Sequence, residues 1–552
     1  MKKSGVMKSV SFWLLFLGIF TALIGTAFAA GGPRAVTVDA GKVVGHIRSL
    51  QGAHWDPGPD GQTLSNNYVE MGVDMIRTHD AGGISTPYTA IAGEGDIDGL
   101  GAAVIFPDLN ADPNNPASYN FGPTDKLIKN IKDTGSEVYF RVGRSNIYGF
   151  ANNYVPPDIN KYGEIVKHVV MHYNKGWAKG FHYGIRYFEI WNEPDFMPFW
   201  GGTAAQYYDL YKKVALAIQS VDNHAKIGGP ANTTHNDYTG FEGSLLQFIR
   251  DNHLPMDFYS FHLYTNQSQN PVDYARYGQR YRAMLDSYGF KRAEIICSEW
   301  NTALDGTPLI GGSAAQAVFV AEALMNMQDS PVDQAHYYWF APPLPTLGKD
   351  HNAFAMVSSL NGTPDRLKVT GDDDQGFSVM AGKDEGEREL RVLIADYEIS
   401  PHNMGPIPGG NDTVIFIPGL GLLGTMTVLD RLTYTYQNTN GYNLEIKNIP
   451  EGWGDLTVEQ YRIDNDKNMV LVGTQTIEKK DRKHKGKSES VKVSGVWVPG
   501  GATIVYNPPP PIGDGAFSYV ADPAPGAAPG IDMIVVYGED NHHRGGCHGS
   551  NR

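Results

Sequence analysis

Cysteine is almost missing from this chain: Cys297 and Cys547 are the two thiols in 552 residues. That excludes a fold stapled by disulfides. Cys297 lies in an apolar, strand-like run and reads as a buried free thiol, and Cys547 as an incidental thiol of a polar tail. Positive charge is in deficit, with 45 Lys and Arg against 60 Asp and Glu and a formal net charge of −15. Such a surface repels polyanions, so nucleic acid is not an expected partner. No Gly-rich phosphate loop follows the first strand-like run. The spacing of His542, His543, Cys547 and His548 matches no closed zinc site. No metal or cofactor is therefore expected. Charged residues are 19% and hydrophobic residues 41%, the balance of a globular protein rather than a disordered one.

Long apolar runs are also absent after the first thirty or so residues. The one run, Phe12 to Ile24, follows Lys2, Lys3 and Lys8 and precedes Ala27-Phe28-Ala29. Basic, apolar and small residues in that order read as a secretory signal over residues 1–30, which predicts a secreted or periplasmic protein with no stable membrane insertion after cleavage. An uncleaved anchor is the alternative, because the run is nearly long enough to span a bilayer.

From about residue 45 to 345, short apolar runs alternate with amphipathic stretches such as Ile159–Tyr173, Ala204–Val221 and Ala314–Met327. The runs are Gly52–Trp55, Asp74–His79, Glu137–Val142, Arg186–Glu193, Lys226–Pro230, Asp257–Tyr264, Glu294–Asn301 and Gln334–Phe340. Strand–helix alternation predicts a parallel sheet, and eight strands at this spacing predict an α/β fold of the (β/α)8 barrel type, with a doubly wound open sheet as runner-up. Several runs end in polar or aromatic groups: Arg77 and His79, Arg141 and Arg144, Asn192 and Glu193, His262 and Tyr264, Glu299 and Asn301, Trp339. In a barrel all of these ends open into one mouth. From 346 to 506 the pattern becomes short, turn-separated runs, the signature of an all-β sandwich, which residues 31–44 are expected to join. Residues 478–490 are lysine-rich and read as an exposed loop, and 507–552 are Pro- and Gly-rich and read as a flexible tail.

Two of the barrel runs carry chemistry. IRYFEIWNEPDFMPFW (185–200) is a strand stopped by Pro194, which leaves Glu193 at its end beside Asn192 and bulky rings. EIICSEWN (294–301) is a buried strand ending at Glu299. Strands four and seven of a barrel share one mouth, so the two glutamates become neighbours. Paired carboxyls about 5–5.5 Å apart are what retaining hydrolysis of a glycosidic bond requires. Capping of strands, or pairing with arginine, is the alternative for either glutamate alone.

The stretch IWNEP followed by FW and then YYDLYKKVALAIQSVDNHAKIGGPA closely resembles glycoside hydrolase family 39. SEWN resembles that family's nucleophile strand, and DRLKVTGDDDQGFSVMAGKDEGERELRVLIADYEIS resembles its C-terminal β-sandwich. The resemblance runs from about Val36 to Tyr506. It implies Glu193 as acid/base and Glu299 as nucleophile, with Asn192 on the sugar 2-hydroxyl and Arg77 beside the nucleophile. It also implies that His262 and Tyr264 orient substrate or nucleophile and that Trp339 offers a sugar platform. The expected partner is an oligosaccharide or polysaccharide, plant or microbial, cut in a β-xylosidase-like way. Two strands depart from the xylosidase pattern, Arg77-Thr78-His79-Asp80 and Phe140-Arg141-Val142-Gly143-Arg144. Both would line the pocket of the terminal sugar, which opens the substrate to arabinose-containing units or an exopolysaccharide. A carbohydrate-binding protein with an inactive barrel is the competing class, and retention of both glutamates argues against it.

Overall fold

The computed structural model describes the chain apart from residues 1–32, 55, 59–61, 64–65, 79–96, 98–103, 145–154, 197–198, 234–239, 265–270, 302–313, 339–347, 374–375, 398–411, 418–420, 428–440, 479–489, 497–529 and 539–552. The signal-like segment, the lysine-rich loop, His79 and Trp339 lie outside the described residues. None of the described helices is long and apolar enough to cross a membrane.

The chain opens with β1 (Arg34–His46) and then enters eight strands: β2 (Gln51–His54), β3 (Met75–Arg77), β4 (Glu137–Val142), β5 (Tyr187–Ile190), β6 (Lys226–Thr233), β7 (Phe258–Tyr264), β8 (Glu294–Asn301) and β9 (Gln334–Tyr337). Each pairs in parallel with its neighbours, and β9 returns to β2 to close the barrel. Helices α1 (Gly122–Asp133), α2 (Ile159–Lys175), α3 (Ala204–Val221), α4 (Phe241–Asp251), α5 (Asp273–Tyr288), α6 (Ala314–Met327) and α7 (Lys349–Ser359) follow the strands from the second onward. Between β2 and β3 the described residues form a turn at 68–72 instead of a helix. Because α7 follows the eighth strand, the barrel runs past residue 345, where the composition suggested that the β-rich part began.

Local chemistry sets these boundaries. The Asp158 side chain accepts the Lys161 N–H and starts α2, and Gly176 ends it at φ 75°. Thr203 and Gln206 form a capping box that starts α3. Strand alternation then sorts side chains between two places. Met75, Tyr139, Tyr187, Phe258 and Ile296 cluster inside the barrel. Their neighbours Ile76, Val138, Phe140, Phe188, Tyr259, Phe261, Ile295 and Cys297 belong to the core shared with the helices. Cys297 is buried and free.

The rest of the chain supplies β10 (Asp365–Thr370), β11 (Phe377–Asp384), β12 (Glu389–Asp396), a separate pair β13 (Asp412–Ile417) and β14 (Gly421–Thr427), then β15 (Gly441–Lys447), β16 (Leu456–Ile463), β17 (Asn468–Ile477), β18 (Ser490–Val496) and β19 (Gly530–Gly538). The sandwich-like module is one continuous sheet of nine described strands, ordered β17-β16-β19-β12-β11-β10-β1-β15-β18. Its two faces have separate jobs. Val379, Ala381, Val392, Ile394, Ile534 and Val536 join Val38, Leu444 and Trp453 in a core of its own. The alternate residues Met380, Leu393, Ala395, Met533 and Val535 pack into the barrel's core. The contact is made largely by α6, which touches β11, β12 and β19. Twelve of its fourteen residues are buried, so this helix has no polar face to give to water.

One expectation is corrected here. Residues 507–552 read as a flexible tail, yet β19 lies inside that span, buried along its whole length and paired antiparallel to both β12 and β16.

Candidate active site

The barrel mouth brings Arg77, Asn192, Glu193, His262, Tyr264 and Glu299 together, all buried. Arg77 ends β3 and uses its planar guanidinium as a three-way fork. Nε donates to Glu189 Oε2 at 2.6 Å, Nη1 to Glu299 Oε1 at 2.7 Å and Nη2 to Asn192 Oδ1 at 2.8 Å. Burial pulls the pKa of Arg77 down, but the carboxylates of Glu189 and then Glu299 outweigh it and the net shift is upward. A permanent cation therefore lies against Glu299, the surrounding that keeps a carboxylate ionised and nucleophilic. The Tyr264 hydroxyl donates to the other oxygen, Oε2, at 2.6 Å. Burial, and after it the Glu299 charge, raises the Tyr264 pKa well above 10, so the phenol keeps its proton.

Glu193 is held from the other side. His262 Nδ1 lies 2.7 Å from Glu193 Oε1 and 3.5 Å from Glu299 Oε2, so one imidazole bridges the two carboxyls. Burial first, and the Arg77 charge second, lower the His262 pKa well below 6.5. The ring is neutral, and its Nδ1–H donates to Glu193 Oε1, an oxygen that accepts whether or not the carboxyl carries a proton. Ligand atoms of Glu193, His262 and Glu299 all lie within 4.8 Å of one another. By distance alone the three could hold a metal ion. Their atoms are already committed, however: a guanidinium and a phenol occupy Glu299, and a dication there would sit against Arg77. The trio fits proton and carboxylate chemistry better than ligation.

Two strand irregularities aim the glutamates. In β8, Ile295 and Cys297 point outward, and strict alternation would send Glu299 outward as well. The register shifts between Cys297 and Glu299, Trp300 takes the outward place, and Glu299 turns into the barrel. This is the re-aiming that a β-bulge performs. The carbonyl of Ser298, inside the bulge, accepts from His54 Nε2 at 2.9 Å. Burial, then Arg77 and His336, hold His54 well below its ordinary pKa, so it is a neutral donor. In β6 the register shifts between Pro230 and Asn232. The extra residue, Ala231, sits at φ 56° and its carbonyl accepts the Glu193 N–H at 3.1 Å.

The remaining candidates fall as follows. Arg141 is fully buried and stands on β4 opposite Glu189, one inward position above Tyr139. Arg144 is half-buried just beyond the strand. Asn301 is buried, but its amide donates to the Tyr338 carbonyl at 2.8 Å, a bond between strand ends rather than a site contact. His79 and Trp339 have no described position. Sequence reading did not single out Glu189, Tyr139, His54, Asp195 or Thr233. Glu189 is fully buried and takes the Tyr139 hydroxyl at 2.9 Å as well as Arg77. A glutamate inside the apolar run YFEI was the available signal, since a charge buried there must be paired.

Fold and site together define a (β/α)8 barrel carrying a paired-glutamate centre at the C-terminal ends of its strands. Residues 103–342 match Glycosyl hydrolases family 39. The match lies within the barrel. A β-xylosidase of Geobacillus stearothermophilus is 26% identical over 270 residues, which are 43% of this chain and 51% of that protein. A β-xylosidase of Caldicellulosiruptor saccharolyticus is 21% identical over 345 residues, 54% of this chain and 67% of its own length. The chain thus spans about half the length of the first of these relatives. The crystal structure of a glucosidase from Croceicoccus marinus superposes with a TM-score of 0.74 at 25% identity, covering 92% of this chain and 99% of that one.

Proposed function

We propose that the protein is an exported glycoside hydrolase that cuts by retaining double displacement, with Glu299 as nucleophile and Glu193 as acid and then base. The observation that carries this reading is that one oxygen of each carboxyl lies within 4.8 Å of the other, with His262 Nδ1 in reach of both. Retaining enzymes use about 5–5.5 Å, and inverting enzymes about 6.5–9.5 Å to admit a water between the carboxyls. Glu299, ionised beside Arg77, attacks the anomeric carbon while Glu193 protonates the departing oxygen. Glu193 then removes a proton from the water that releases the sugar. Asn192, its Oδ1 taken by Arg77, offers its Nδ2 end to the sugar 2-hydroxyl. The relatives' activities favour a β-linked xylose or a glucose unit. Departures from the xylosidase pattern around Arg77 and Arg141 keep arabinose-containing units and exopolysaccharides among the candidates.

The test is hydrolysis of nitrophenyl β-xyloside, β-glucoside and α-L-arabinoside and of whole polysaccharides, followed by two variants. Glu299→Ala is expected to lose nearly all turnover and to regain it with azide as a product of inverted configuration. Glu193→Ala is expected to keep glycosylation by a good leaving group, accumulate intermediate and be rescued by azide with retention. The opposite pair of stereochemistries would exchange the roles. Full activity in both variants would remove the mechanism.

A further inference from the structure

Glu193 has a left-handed backbone, φ 46°, and Trp191 two residues earlier is at φ 75°. Side chains rarely adopt this region, and such a conformation persists only where neighbours over-determine it. The neighbours here belong to the irregular end of β6. The Glu193 N–H is taken by the Ala231 carbonyl at 3.1 Å, and Ala231 is itself held by its N–H on Ser260 Oγ at 3.0 Å. Two residues past Glu193, the Asp195 carboxylate closes the turn with both oxygens. Oδ1 accepts the Thr233 N–H at 3.1 Å and Oδ2 the Thr233 hydroxyl at 2.8 Å. The turn bearing Glu193 is thus bracketed by bonds to Ala231, the bulge residue, and to Thr233, two residues beyond it.

We propose that the Asp195–Thr233 clamp is a positioning device for the acid/base carboxyl, acting through the left-handed turn and not by touching substrate. The proposal rests on Glu193 being the acid/base. Releasing the clamp lets the turn relax toward ordinary backbone angles and swings the Glu193 carboxyl away from the leaving-group oxygen. Ground-state shape survives, because His262 and the barrel remain. What is lost is aim, and misplacement by about 1 Å is enough to cost about a hundredfold in a positioned proton transfer.

A purely structural role would weaken all substrates alike, whereas loss of aim at the acid depends on how much protonation the leaving group needs. Thr233→Val keeps the branched shape and the backbone donor but removes the hydroxyl, Thr233→Ser restores the hydroxyl, and Asp195→Ala removes both bonds. Each is assayed on dinitrophenyl and methylphenyl β-xylosides or β-glucosides, whichever glycone turns over, beside Glu193→Ala. The expected result is a loss of kcat/KM on the methylphenyl substrate about tenfold or more greater than on the dinitrophenyl one for Thr233→Val and Asp195→Ala, with recovery in Thr233→Ser. Azide should accelerate Asp195→Ala on the dinitrophenyl substrate. Equal losses on both leaving groups, or no loss, would overturn the clamp. If Glu193→Ala itself shows no leaving-group dependence, the acid/base assignment beneath the proposal falls instead.

Discussion

Arg77 makes three hydrogen bonds to three different side chains, and only a planar fork can do so at these distances. Lysine has the charge without the fork. Arg77→Lys should therefore leave at least one of Glu189, Glu299 and Asn192 without its donor in a water-poor site. We expect kcat to fall by about a hundredfold or more. A stability loss of about 3 kcal/mol should accompany it, because breaking a buried pair strands the remaining charge. Turnover of the best nitrophenyl glycoside and urea denaturation check both, and a variant within a few-fold of the parent would remove Arg77 from the nucleophile's support. At this scale the sequence was legible wherever a residue stood at a strand end. Glu193 and Glu299 follow apolar runs and are stopped by Pro194 or followed by Trp300, so their place in the mouth could be inferred. Glu189 and His54 could not. Glu189 sits inside its strand and not at the end, and His54, although it ends β2 in register with Arg77, acts on the Ser298 carbonyl in a bulge that leaves no trace in the sequence. Asp195 and Thr233 escaped for another reason: they meet where a turn packs on the irregular end of β6, and neither a turn nor a bulged strand end has a period to read.

Strands and helices were legible where their pattern was periodic. Glu137–Val142, Glu294–Asn301, Ala204–Val221 and Ala314–Met327 have the bounds that alternation and amphipathicity predict. The bulges in β6 and β8 leave no trace in composition, and alternation counted without them would turn Glu299 outward. The helix α6 shows what burial on every side does to a titratable group. Its Glu322 is fully buried and accepts the Tyr397 N–H at 3.0 Å across the contact between barrel and sheet. Burial first, and then the charges of Asp396 and Asp373, raise its pKa well above 4.5, against the N–H groups of Tyr397 and Ser378 that favour the anion. The folded state thus holds a proton that the unfolded chain gives up. The stabilisation is complete below the unfolded value near 4.5 and is lost as pH rises through the raised folded value. Replacing Glu322 with glutamine keeps an acceptor for Tyr397 and removes the titration. Glu322→Gln should raise the melting temperature more at about pH 8 than at about pH 5, and flatten stability against pH by up to about 1.4 kcal/mol per pH unit. An equal shift at both pH values would show that the carboxyl does not titrate in this window.

The whole molecule is tied by a strand that composition placed in a tail. Sequence reading averaged Gly530–Gly538 with the Pro- and Gly-rich residues around it. Yet GIDMIVVYG is the continuous apolar run expected of a strand covered on both faces. Its insertion between β12 and β16 makes the sheet continuous, and without it β17 and β16 would lose their connection to the other strands. Its two faces serve the two cores, Ile534 and Val536 the sheet's own and Met533, Val535 and Tyr537 the one shared with the barrel. Near its start Asp532, fully buried, accepts Arg462 Nε at 2.8 Å and Nη2 at 2.7 Å, Gln460 Nε2 at 2.7 Å and the Tyr442 hydroxyl at 2.6 Å. Tyr442 stands on β15 and Arg462 on β16, so one carboxylate links strands from opposite ends of the sheet order. Removing that carboxylate takes from the Arg462 guanidinium the counter-charge that holds it by two hydrogen bonds, at a cost of about 3–5 kcal/mol. Asp532→Ala is therefore expected to lower stability by that amount while kcat/KM of the surviving folded fraction stays near that of the parent, since none of these groups reaches the barrel mouth. A chain ending at residue 529 should fare worse. It loses two strand pairings and part of the cover over α6, and we expect an aggregating product without activity although every residue of the glutamate centre is present. Soluble expression, thermal unfolding and turnover of both variants decide the matter. A truncated chain that melts like the parent would show that the barrel stands without its last strand.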